Sequence, residues 1–146
     1  MSKYEEANLI LKLYDLRREE TLRKARDWYV RDFHPQSLQD FMNTMFGEHS
    51  GYLRMVMTYW DMAAALVNHG AISGDLFNET NGEYIGVFSK IEPLLEQIRG
   101  SFGPQFLANL EKLVDATPGG RERVALTRER MAGIRAELMT RQAKAD

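Results

Sequence analysis

The sequence contains no cysteine. That excludes disulfide frameworks, thiolate metal sites and cysteine nucleophiles together. Long apolar runs are missing too. The longest, Met62–Val67, is six residues, far below the roughly 20 that a membrane-spanning helix needs. Histidine is scarce, with three in 146 residues. A di-iron helical site takes Glu-x-x-His pairs on facing helices, whereas the residues three before His34, His49 and His69 are Arg31, Phe46 and Leu66. No metal and no other cofactor is expected. There is no Gly-x-Ser-x-Gly elbow, and Ser50, Ser73, Ser89 and Ser101 stand where turns or caps are expected. Pro118-Gly119-Gly120 precedes a helical pattern but lacks the lysine and the strand of a P-loop. Met1–Tyr14 carries Lys3, Glu5, Glu6 and Lys12, without the apolar stretch of a signal peptide. These exclusions describe a soluble, cytoplasmic chain without catalytic residues.

What is present fits one globular domain spanning residues 1–146. The length suffices for a core without staples, and 44% hydrophobic with 27% charged residues is an ordinary balance. Eight methionines suit irregular gaps between helices. The net charge of −2 is unevenly spread: +1 over residues 1–32, −6 over 33–120 and +3 over 121–146. An acidic middle disfavours a nucleic-acid binder, which shows a basic excess.

Gly51–Gly70 is the most informative segment. Its polar residues Arg54, Thr58, Asp61 and Asn68 fall on one narrow helical stripe. Tyr52, Met55, Val56, Tyr59, Trp60, Met62, Ala63, Leu66 and Val67 cover the rest. A helix apolar over most of its circumference belongs in the middle of a fold. It is expected from about Glu48 to Asn68 or His69, with Gly70 as its stop.

Residues 3–33 read as one long helix, bridging solvent between Arg17 and Lys24 and ended by Pro35. Ser37 caps a short helix to Phe46. A turn over Ala71–Gly74 and a short helix over Asp75–Phe77 follow. Thr80/Glu83 and Ser89/Glu92 have capping-box spacing, so residues 81–100 form one kinked helix or two abutting ones around Pro93. Pro104 starts a helix to about Asp115. Thr117-Pro118 starts the last, which runs to about Arg141 and frays after Gln142. Its stripe is Val124, Thr127, Met131, Ile134 and Leu138. No β alternation is present. The expected class is all-α: a single-domain bundle of five to seven helices around the central apolar helix, more than roughly 65% helical against the usual third.

The candidate ligand-binding residues are Arg54, Thr58, Tyr59, Trp60 and Asp61. Arg54 and Asp61 would line a pocket between helices, with Thr58 between them and Tyr59 or Trp60 as an aromatic wall. The competing reading leaves the stripe in solvent or paired with charges on neighbouring helices. Trp28, Tyr29, Phe33, Phe41 and Phe46 read as core around the first inter-helix connection. The last helix is amphipathic and basic, but Glu122, Glu129 and Glu137 intersperse its arginines, which suits a solvated face on a packed helix better than a membrane surface.

The motifs Tyr59-Trp60-Asp61-Met62-Ala63, His69-Gly70-Ala71-Ile72-Ser73-Gly74-Asp75-Leu76, Ile91-Glu92-Pro93-Leu94-Leu95 and Arg99 go further. Between Phe41 and about Val114, roughly half of the chain, the sequence resembles a bacterial family of uncharacterised helical domains of unknown function. The turn after the central helix, Gly-x-Ile-x-x-x-Leu, carries most of the similarity. The resemblance implies an all-α fold and a bacterial source, and no catalytic residue. Many members carry an N-terminal membrane helix. None is visible in this sequence, so membrane association is not carried over.

Two functions are compatible with these features. The leading one is a non-enzymatic protein–protein interaction or regulatory module that self-associates, most simply as a homodimer about a two-fold axis. Its support is a long first helix and a charged last helix that exceed the needs of a small core. An unidentified protein partner fits the same reading. The alternative is a small-molecule-binding domain with an inter-helix pocket at Arg54, Tyr59, Trp60 and Asp61.

Overall fold

The computed structural model describes residues 2–146. The chain is 80% helix, and no strand occurs among the described residues. The helices are α1 (Lys3–Arg17), α2 (Glu20–Arg31), α3 (Leu38–Met45), α4 (Ser50–Asn68), α5 (Gly74–Thr80), α6 (Glu83–Ile91), α7 (Leu95–Phe102), α8 (Ala108–Ala116) and α9 (Gly120–Ala145), with a 3-10 turn over Glu92–Leu94. That exceeds the five to seven expected, because several long periodic stretches break.

The first break corrects the single helix over residues 3–33. The Glu19 carboxylate accepts the N–H groups of Thr21 at 3.0 Å and Leu22 at 2.9 Å. These are orphan donors at a helix start, so Glu19 opens α2 as a separate element. The charged run is a corner, not a solvent bridge. Arg26 of α2 donates to the Arg17 carbonyl at the end of α1.

Neither capping box forms. Thr80 bonds back to the Leu76 carbonyl inside α5, and Ser89 is buried inside α6 with its hydroxyl on the Gly86 carbonyl. Pro93 sits in the 3-10 turn, so residues 81–100 are two helices joined by one tight turn. α8 starts at Ala108 rather than near Pro104, after Leu107 adopts a left-handed φ of 51°. α9 continues to Ala145, past the expected end. Phe46 is not core: it follows the last turn of α3 and is exposed.

α4 is the centre of the packing. Leu53, Val56, Met57, Tyr59, Trp60, Ala63 and Ala64 are buried, and the helix lies chiefly against α8 and α2, then α3. It ends as the sequence implies. Gly70 has φ 82°, its N–H bonds to the Val67 carbonyl, and the Ala71 N–H bonds to the Leu66 carbonyl. This is a Schellman closure, which favours glycine at the left-handed position. α6 carries α9 on its far side. Only Gly120 and Val124 of α9 are buried, so most of this helix is exposed. No described helix is long and apolar enough to cross a membrane.

Candidate functional site

A groove of about 710 Å³ lies between α2, α6 and α9. Its floor is α6, where Gly86 is flanked by the buried Ile85 and Val87. Val30 of α2 forms one wall; Leu126, Met131, Ile134 and Leu138 of α9 form the other. All five wall residues are exposed, although they line a concave surface. α9 presents this wall because its stripe has helical spacing and extends past the end of α6.

The first turns of α9 are pinned. Arg121 pairs with Asp115 at 2.6 Å, Glu92 at 2.8 Å and Glu111 at 2.9 Å. Arg128 meets Glu92 at 2.6 Å and the Ser89 carbonyl at 2.9 Å. These bonds fasten α9 to α8, to the 3-10 turn and to the end of α6. Hydrogen bonds from Arg121 hold Asp115 below the usual carboxylate range. The Glu111 carboxyl is lowered as well: Arg121 and Arg99 outweigh its partial burial. At the start of α9, a Cβ on Gly120 would lie 1.9 Å from the Val114 carbonyl oxygen. Only glycine permits that approach.

The rim of the groove is basic. Arg31, Lys90, Arg123, Arg130 and Arg135 line it, against one carboxylate, Glu83. Glu83 is already neutralised by Arg26 through two bonds of 2.8 and 3.0 Å. Arg31 pairs with Asp27. Among the described residues Arg123, Arg130 and Arg135 form no ion pair.

Lys90 closes one end. Its ammonium donates to the carbonyls of Tyr29, Val30 and Phe33 at 2.5, 3.2 and 2.7 Å, where α2 leaves its last acceptors open. Burial and the charge of Arg135 lower the amine to about 8. His34 lies 3.3 Å from it. Burial and the Lys90 charge lower the imidazole's affinity for a proton.

The five candidate ligand-binding residues do not converge. Arg54 is exposed, with Nε on the Ser50 hydroxyl, and Thr58 is exposed with its hydroxyl on the Arg54 carbonyl. Tyr59 is buried and donates to the Leu13 carbonyl at 2.6 Å, and burial raises its hydroxyl to about 12. Trp60 is 1% exposed, with the Arg17 guanidinium 5.6 Å from its ring centre. Asp61 accepts the Leu110 N–H at 2.9 Å and the Asn109 amide at 3.3 Å. It caps α8 from a neighbouring helix, and Asn68 donates to the Asn109 carbonyl at 2.9 Å beside it.

The groove's α9 wall was visible in the sequence as the stripe Met131, Ile134 and Leu138. Val30 and Ile85 carried no sign of it, because only the packing of α2 on α6 brings them alongside α9. Among the described residues no group of three His, Asp or Glu side chains is placed to hold a metal ion.

The chain belongs to the family described as Domain of unknown function (DUF4760), which matches residues 4–117. The match starts in α1, well before Phe41, and stops before α9. No curated protein matches the chain. No solved structure matches it.

Proposed function

We propose that this chain is a non-enzymatic binding module whose working surface is the α2–α6–α9 groove. The observation that carries the reading is three arginines without ion pairs, Arg123, Arg130 and Arg135, over an apolar trough of about 710 Å³. That volume lies within the roughly 300–1,000 Å³ of small-ligand pockets, which pair apolar linings with a few polar groups. The ligand position therefore moves from the central helix to the α9 side. One buried cluster runs from Leu13 to Val124, which supports a single folding domain. A cytoplasmic setting and a bacterial source belong to the proposal on sequence grounds alone.

An environment-sensitive apolar dye tests the reading. The native protein is expected to bind it saturably, and Ile134→Glu to abolish the signal while helicity by circular dichroism is kept. Equal dye binding by Ile134→Glu rejects the groove.

A second reading is the homodimer, now through α1. One side of α1 packs inward through Leu9, Ile10 and Leu13. Yet Tyr4 is 77%, Leu11 60% and Tyr14 50% exposed. A helix apolar on two sides suits a place between two layers. Sedimentation equilibrium tests this reading independently of the groove.

A further inference from the structure

We infer that the groove's ligand is a free, single-chain long carboxylate, with its tail along the trough and its head at the Arg135 end. This rests on the groove reading and adds the ligand's chemistry.

The shape argues for a chain. Along α9 the lining runs from Arg123 to Leu138, about 22 Å at 1.5 Å per residue. Apart from Thr127, the residues projecting into this length from α6 and α9 between the rim charges are aliphatic, methionine or glycine: Ile85, Gly86, Val87, Met131 and Ile134. A flexible hydrocarbon gains there by burial alone, at roughly 25 cal/mol per Å².

Charge fixes the head. At the far end Arg135 lies beside Lys90, which both line the groove, and His34 adjoins Lys90. The ammonium of Lys90 spends its bonds on three carbonyls, so it contributes charge. The unpaired guanidinium of Arg135 supplies the donors, and a guanidinium fork matches a carboxylate. Asp32 offsets part of the charge of Lys90 at this end, so Arg135, whose donors are open, is the group that holds the head. A second copy's α9 is a poorer occupant: residues 121–146 carry +3, and the rim is already basic.

The test uses the full chain, the apolar dye, and three probes of one chain length: dodecanoate, dodecanol and dodecyltrimethylammonium. Dodecanoate is expected to displace the dye at a roughly tenfold lower concentration than the other two. Arg135→Gln should close that gap, each probe being read against the variant's own dye affinity. Equal displacement by all three probes overturns the inference while the groove stands. So does a gap that survives Arg135→Gln. An acidic amphipathic peptide displacing the dye where dodecanoate fails would assign the groove to a protein partner. Recruitment to anionic vesicles without monomeric dodecanoate binding would assign it to a membrane. Failure of the dye itself removes the groove reading along with the ligand.

Discussion

Lys90 holds Tyr29 in two ways: its ammonium donates to the Tyr29 carbonyl at 2.5 Å and lies 5.1 Å from the centre of the Tyr29 ring. Tyr29 in turn donates its buried hydroxyl to the Val87 carbonyl at 2.6 Å. The pair binds the end of α2 to α6 and sets one wall of the groove. It does so without a carboxylate in contact with the amine, so Lys90 stays charged at a cost in desolvation.

Lys90→Met is expected to destabilise by about 1 kcal/mol at neutral pH, because partly buried carbonyls lose their donor. It should also change the pH dependence. Burial pushes the folded amine down to about 8, below the ordinary 10.5 of a lysine. Between those values the unfolded chain binds more protons, so native stability rises with pH across the window. Burial raises the Tyr29 hydroxyl, and that opposes the rise only above about pH 10. Urea unfolding at neutral pH and about two units higher measures both effects. A variant with native stability and a native slope contradicts the assignment.

Trp60→Ala should cost about 3–5 kcal/mol, the range for a large aromatic removed from a core. The indole N–H has no hydrogen-bond partner in the structure, so Trp60→Phe loses volume but leaves no acceptor stranded. Its cost should be clearly the smaller of the two. A change under about 1 kcal/mol for the alanine variant would be inconsistent with a buried ring.

Two glycines should respond unequally. Gly70→Ala meets open space but strains φ 82°, at a cost on the order of 1 kcal/mol. Gly120→Ala drives a Cβ to 1.9 Å from backbone, which forces α9 away from α8. Thermal melts should rank Gly120→Ala well below Gly70→Ala. The reverse order refutes the close approach.

The central helix was legible because its composition leaves one solution: an almost fully apolar circumference must be surrounded. The Gly70 stop was legible for a similarly local reason. The break at Glu19 was not, because a run of charges reads as a solvated helix until a glutamate is seen folded back onto Thr21 and Leu22. Asp61 looked like a pocket residue because its helix position says nothing of the α8 start that needs it. The groove was half visible. Its α9 stripe is periodic, whereas its other side joins Val30 and Ile85, 55 positions apart.

Acid should release α9 first. Arg121 holds Asp115 and Glu111 below the usual carboxylate range. The stability they contribute is present above their unfolded values of about 4 and is lost as pH falls through the lower folded ones. Arg121→Gln should move both titrations upward in carboxyl NMR and flatten the acid limb of the stability curve. All three groups are partly exposed, so the neutral-pH cost should be small. Unmoved titrations refute the network.

Self-association is expected to run through α1. Tyr4, Ala7, Leu11 and Tyr14 are spaced three and four apart, the spacing of a coiled-coil seam. All four are exposed, while Leu13 on the other side is buried. An antiparallel pairing about a two-fold axis places Tyr4 against the partner's Tyr14 and Leu11 against the partner's Ala7. Leu11→Glu sets a carboxylate in the middle of that seam without touching the core. Sedimentation equilibrium over a hundredfold concentration range should show the native mass rising from 16.8 kDa towards twice that value. The Leu11→Glu mass should stay constant, with helicity unchanged by circular dichroism. A native mass fixed near 16.8 kDa at every concentration defeats the dimer and leaves the groove as the chain's binding surface. A rising mass that Leu11→Glu does not suppress moves the interface off α1. The same run on Ile134→Glu then shows whether α9 carries it.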